Sequence, residues 1–244
     1  SYIGLNVNDP PLDDPKLRKA LNLAINRPGI ASSVLEDLVV PARGIIPPGF
    51  PSFNPSLSGY KFDPEGAQRL IQESKYGADL ENIPPIVLTI PGGFGAAVGL
   101  DLEVILQAWE ELGLKVEIQQ TEWATFLQDL HKSRFQMFES GWIADYPDPE
   151  NFLDILFHSK SDNNHTNYSN LEVDALLEQA RVEPNREARF KIYNRVEQMI
   201  LEDAPWVVLW NRGEGFALIK SEVKGYHLSP LVIPKLRYVY LAED

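Results

Sequence analysis

Apolar residues recur along this 244-residue chain with two periods, and the switching between them predicts a layered α/β fold. Ser1 to Asn8 reads as an opening strand. Asp14-Pro15 opens a helix to about Asn26, with Leu17, Ala20, Leu21, Ala24 and Ile25 on one face. Asp63-Pro64 opens another by the same logic: a capping carboxylate stands before a proline whose missing N–H costs nothing at the first helical position. Pro85 to Ile90 is a buried strand, and a helix from about Ala96 to Leu112 repeats Val98, Leu102, Ile105 and Trp109 before Gly113 ends it. Lys115 to Gln119 is the next strand, so the default is a parallel βαβ unit with a right-handed crossover. A helix over Trp123 to His131 precedes a strand over Phe135 to Trp142. Ser169 with Glu172 forms a capping box for a helix to about Arg181. Arg186 to Glu202 is a long helix that turns Phe190, Tyr193, Val196 and Ile200 inward. Trp206 to Trp210, Phe216 to Ile219 and Lys235 to Leu241 read as strands, and residues 39–60, dense in proline and glycine, as a surface loop.

The strand ending at Trp142 runs into the acidic loop Gly141-Trp142-Ile143-Ala144-Asp145-Tyr146-Pro147-Asp148-Pro149-Glu150. In open α/β sheets, ligands collect beyond the carboxyl ends of strands. Asp148 reads as the cap of the helix that follows, with Pro149 at its first position and Glu150 favourable to the helix dipole. Asp145, three residues earlier, has no capping role; it is either a solvated loop carboxylate or a ligand group. Trp142 is either a core indole or an exposed platform.

Composition narrows the partners. Hydrophobic content of 44% and charged content of 23% are ordinary globular values. A formal net charge of −13 argues against nucleic acid and against anionic membrane surfaces. The chain has no cysteine, so it has no disulfide, thiolate metal site or cysteine nucleophile. No apolar run is long enough to cross a membrane as a helix.

Other motifs are weaker. Gly93-Phe94-Gly95-Ala96-Ala97-Val98 approximates a dinucleotide fingerprint but puts Val98 where the third glycine belongs, and reads as a strand-to-helix turn; no cofactor is expected. Asp162 to Val173 lacks the glycine and glutamate of a calcium loop. His131, His158, His165 and His227 show no paired ligand spacing, so no metal site is expected.

The acidic loop resembles the signature of family 5 extracellular solute-binding proteins, the oligopeptide, dipeptide and nickel receptors of ABC importers. Further stretches resemble that family in the same order: Asp14 to Arg27, Pro41 to Gly49, Tyr60 to Ala67, Tyr168 to Asp174 and Ala204 to Leu209. The resemblance implies one lobe of a two-lobed periplasmic-binding-protein (type II) fold, a mixed sheet flanked by helices. It matches the carboxyl-terminal lobe only; nothing resembles the first lobe, the export signal or the lipid-attachment cysteine. Residues 1–212 would form the ligand-binding lobe, and 213–244 the segment that in the family returns to the other lobe. Here that segment is expected to fold back, pair with another copy or be poorly ordered.

By the same resemblance the chain is a binding protein and not an enzyme, periplasmic or extracellular and membrane-anchored, with a small peptide or other solute and an ABC permease as partners. Asp145 would anchor a peptide's α-ammonium, Trp142 would line the pocket, and the backbone at Ile143 and Ala144 would pair with an extended peptide. The alternative is a carboxylate-dependent glycoside hydrolase that uses Asp145 with Asp148 or Glu150, which requires two convergent acids.

Overall fold

The structure is a computed structural model that describes residues 1–92, 97–213, 217–228 and 236–242. In chain order its elements are β1 (Tyr2–Leu5), α1 (Pro15–Leu23), α2 (Arg27–Ser33), β2 (Val39–Pro41), α3 (Pro64–Glu73), β3 (Ile86–Pro91), α4 (Leu100–Glu110), β4 (Val116–Thr121), α5 (Trp123–Leu130), β5 (Met137–Ser140), α6 (Glu150–Phe157), α7 (Leu171–Val182), α8 (Arg186–Asp203), β6 (Trp206–Val208), β7 (Trp210–Arg212), β8 (Val223–Lys224) and β9 (Tyr240–Leu241). Short 3₁₀ turns lie at Gly77–Asn82 and Leu236–Tyr238.

Five strands form one mixed sheet in the order β4-β3-β5-β1-β6. β3 runs parallel to β4 and β5, as expected of the βαβ unit, whereas β1 is antiparallel to both β5 and β6. Period-2 alternation divides the side chains between two cores. Ile3, Leu5, Leu88, Met137 and Val207 pack with α1, α3 and α4 on one face. Tyr2, Phe138, Trp206 and Val208 pack with α6, α7 and α8 on the other. Covering both faces explains why the strands read as apolar runs. Gly4 allows a close approach: a Cβ there would meet the Phe138 ring at 2.2 Å. Trp109, fully buried, donates its indole N–H to the carbonyl of Leu21 at 3.0 Å and ties α4 to α1.

Several boundaries differ from the sequence expectation, each for a physical reason. The helix expected to reach Asn26 stops at Leu23, because Asn26 caps a second helix by accepting from the N–H of Gly29. The cap of α7 is Asn170 rather than Ser169; its side chain accepts from the N–H groups of Glu172 and Val173. The stretch Trp206 to Trp210 is not one strand: after Val208 the chain leaves the main sheet, and Trp210 pairs with Pro41 of β2. Residues 217–219 carry no strand and are exposed, while Leu236 to Tyr238 form a 3₁₀ turn before β9. Phe216, Lys235 and the turn Gly93 to Ala96 lie outside the described residues.

The proline- and glycine-rich stretch after Val39 is not wholly a surface loop. Ala42, Ile45 and Ile46 are buried. Buried backbone needs partners, and the fully enclosed Glu197 of α8 supplies one, accepting from the N–H groups of Ile45 and Ile46 at 2.7 and 2.8 Å.

Candidate functional site

The registers bring several strand ends together at one edge of the sheet. Tyr2 pairs with Ser140 on one side and with Val208 on the other, so the start of β1 and the ends of β5 and β6 lie together. The parallel strands β3 and β4 end on the same side, at Pro91 and Thr121. This is the carboxyl edge at which open α/β sheets hold ligands.

β5 ends at Ser140, two residues before the expected boundary, so Trp142 lies in the loop rather than in the strand. The loop then alternates in exposure. Trp142 is half-buried against the second core, Ile143 is 57% exposed, Ala144 is buried, and Asp145 and Tyr146 are exposed. No backbone N–H or C=O from Trp142 to Asp145 forms a hydrogen bond among the described residues. Among those residues the Asp145 carboxylate likewise has no hydrogen-bond or ion-pair partner. Among the described residues the loop thus presents a carboxylate without a partner and a short stretch of backbone without hydrogen bonds.

Asp148 is different. α6 begins at Glu150, one residue later than expected, with Pro149 already helical in conformation. The N-cap position therefore falls on Pro149 rather than on Asp148, although the Asp148 carboxylate still accepts from the N–H of Glu150 at 3.0 Å. It also receives a two-pronged hydrogen bond from Arg189 of α8, at 2.7 and 2.8 Å, and Arg189 in turn reaches the Tyr193 hydroxyl. Nothing local in the sequence announces Arg189, which is 41 residues away.

Burial alone would raise the Asp148 carboxyl; the Arg189 fork and the Glu150 N–H outweigh burial and hold it below its ordinary value. Its folded value is therefore lower than its unfolded one. The clamp's contribution is complete above the ordinary aspartate value of about 3.9 and is lost as pH falls through the folded value. We expect Asp148 to titrate below ordinary aspartates by carboxyl NMR, with the loop loosening only in that acid range; a midpoint at or above the ordinary value would refute the clamp.

The Trp142 indole N–H donates to Oδ1 of Asn151 at 2.8 Å. Asn151 is fully buried in the first turn of α6. The edge carries a second aromatic group, which the sequence pattern marks only as a helix start. Trp123, directly after β4, is 57% exposed and stacks on Phe126, which stacks on Phe135. The signal that could have marked it is its place, the residue after the cap Glu122 at a strand's carboxyl end. Behind the edge, burial and the nearby Asp101 carboxylate raise Glu139 above the ordinary glutamate range.

Among the described residues, no group of three or more His, Asp or Glu side chains converges to hold a metal. At the opposite edge the His131 and His165 rings meet edge-on, centroids 5.4 Å apart, and burial together with His131 pushes His165 down to about 4.

Comparison with known proteins agrees with this architecture. The sequence profile described as bacterial extracellular solute-binding proteins, family 5 Middle, matches residues 1–164. The chain is 31% identical over 236 residues to heme-binding protein A of Haemophilus influenzae, covering 94% of this chain and 42% of that protein. It is 28% identical over 237 residues to the dipeptide-binding protein of Escherichia coli, covering 94% of this chain and 43% of that protein. Its fold superposes on the dipeptide-binding protein of Pseudoalteromonas sp. SM9913 in complex with Met-Leu, with a TM-score of 0.83 and 28% identity over 99% of this chain and 48% of that one. On the murein tripeptide-binding protein of Escherichia coli the TM-score is 0.82 at 25% identity, over 100% of this chain and 48% of that one. The chain therefore spans a little under half the length of the curated relatives it matches.

Proposed function

The chain belongs to the family 5 bacterial extracellular solute-binding proteins, and from that premise we propose that it forms one wall of a peptide-binding cleft in the receptor of an ABC importer. The opposing wall would come from a second lobe, and closure of the two around ligand would precede docking on a permease. The setting is periplasmic or extracellular, with a lipid anchor holding the receptor at the membrane. Residues 213–244 would reach toward the second lobe, a role that fits the exposed apolar side chains Leu218, Leu228, Tyr240 and Leu241.

One observation carries this reading: Asp145 is an exposed carboxylate without a partner among the described residues, at the carboxyl edge of the sheet. An ammonium desolvated in a closed cleft needs a fixed opposite charge, and a charge-assisted hydrogen bond is the strongest contact available. The backbone at Ile143 and Ala144, unpaired among the described residues, supports strand addition, which takes its affinity from main chain and tolerates varied side chains. Trp142 would supply an apolar wall. A glycoside hydrolase is not supported. Of its two candidate second acids, Asp148 is held by Arg189 and Glu150 is the first residue of α6; the named relatives are binding proteins.

Trp123 extends the site. The ends of β5 and β4 are two strand spacings apart, about 10 Å, which is the reach of about three extended residues. A peptide held by its amino end in the loop after β5 and running along the edge toward β4 would reach Trp123 only if it is longer than a dipeptide. Trp123→Ala is expected to weaken tri- and tetrapeptides about 5- to 20-fold, in line with truncation of an aromatic contact, and to leave dipeptides within about twofold. Titration of Ala₂, Ala₃ and Ala₄ by calorimetry reads this, and equal losses for all three would remove Trp123 from the site.

A further inference from the structure

The Asn151 side chain poses an energetic puzzle. It is 0% exposed, its Oδ1 accepts the Trp142 indole N–H at 2.8 Å, and its Nδ2 is buried and reaches no acceptor among the described residues. The carboxamide cannot be turned round to cure this, because an indole N–H is only a donor and needs the oxygen. A buried donor without a partner is a standing cost. A leucine of similar volume would fill the space without it. On stability alone, then, asparagine is a poor residue here.

What asparagine provides is a fixed indole. Trp142 is half-buried and follows Gly141, where an added Cβ would meet nothing within 4 Å, so little crowds the strand end. Without Asn151 the indole N–H could bond to water in many orientations. Asn151 itself is rigidly held: its own N–H donates to the carbonyl of Asp148, which Arg189 clamps to α8, and the adjacent Phe152 meets Phe50 edge-on with centroids 5.1 Å apart. A continuous series of attachments thus runs from α8 through Arg189, Asp148 and Asn151 to the ring of Trp142.

We propose that Asn151 is a positioning residue, kept at a cost in stability, which orients the Trp142 indole as a preorganised wall of the ligand site. This rests on the reading of Trp142 as a pocket wall, but the orienting role can be tested without ligand. In Asn151→Leu, the Trp142 indole N–H resonance should move to the position of a water-exposed indole and exchange faster, while the thermal midpoint stays level or rises. Asn151→Asp keeps an acceptor oxygen and should keep the wild-type indole resonance. Titration with Ala₃ adds the functional arm: Asn151→Leu should raise Kd about 3- to 10-fold, the scale of ordering one large side chain on binding, and Asn151→Asp should restore it.

A folded Asn151→Leu with an unchanged indole resonance overturns the proposal. So does an Asn151→Leu that fails to fold or loses several degrees of stability, since the residue would then be structural. If the indole responds as expected but the full two-lobed receptor shows no shift with Ala₃, the orienting role stands and the peptide reading fails.

Discussion

Alanine at Asp145 is expected to cut affinity for a peptide with a free amino terminus about 10- to 100-fold, as loss of a charge-assisted hydrogen bond would, and to leave the thermal midpoint unchanged. Both halves follow from the same fact: the carboxylate is exposed and has no partner among the described residues, so the fold does not depend on it. Its energy would appear only when a ligand's ammonium arrives. Calorimetry of wild type and Asp145→Ala with Ala₃ and with N-acetyl-Ala₃ separates charge recognition from general packing. Wild type should favour the free amine, the variant should not, and the two losses should fail to add, as they do for groups in contact. One lobe supplies part of the cleft, so absolute affinities will be weak and the ratio is the quantity to read. Equal loss for both peptides, or no loss at all, would detach Asp145 from ligand recognition and remove the chemical basis of the peptide assignment.

The largest effect on stability is expected at Trp109. Its indole is fully buried between α4 and the first core and donates to the Leu21 carbonyl. Trp109→Ala opens a large cavity and strips that carbonyl of its donor, a loss of about 3–5 kcal/mol. For a chain of this size that corresponds to a fall in thermal midpoint of about 10 °C. Denaturant and thermal unfolding both test it, and a change within about 1 kcal/mol would show that the contact of α1 with α4 is not the anchor inferred from the packing.

Local patterns made much of this fold legible. The Asp-Pro pairs at Asp14 and Asp63 fixed the starts of α1 and α3, because capping needs only the neighbouring residues. The parallel pairing of β3 with β4 followed from an apolar run, a helical period and Gly113 in succession. Less legible was everything that required a distant partner. The buried course of Ile45 and Ile46 depends on Glu197, more than 150 residues on. The Pro- and Gly-rich composition there signals turns and is silent about burial. Trp123 was hidden for a related reason: a helix period cannot say whether the first residue of a helix faces a core or an open edge.

The sequence alone determined the α/β layering, the caps of the main helices, and the placing of an acidic, indole-bearing loop at a strand's carboxyl end. Spacing, charge and backbone propensity act over a few residues, and those features need no more. The tertiary structure decided how the groups in that loop are held: Asp148 is taken by Arg189, Asp145 has no partner among the described residues, and Trp142 donates its indole N–H to Asn151. A carboxylate's availability depends on which cation or donor the folded chain brings within about 3 Å, and that distance is set by packing across the whole lobe.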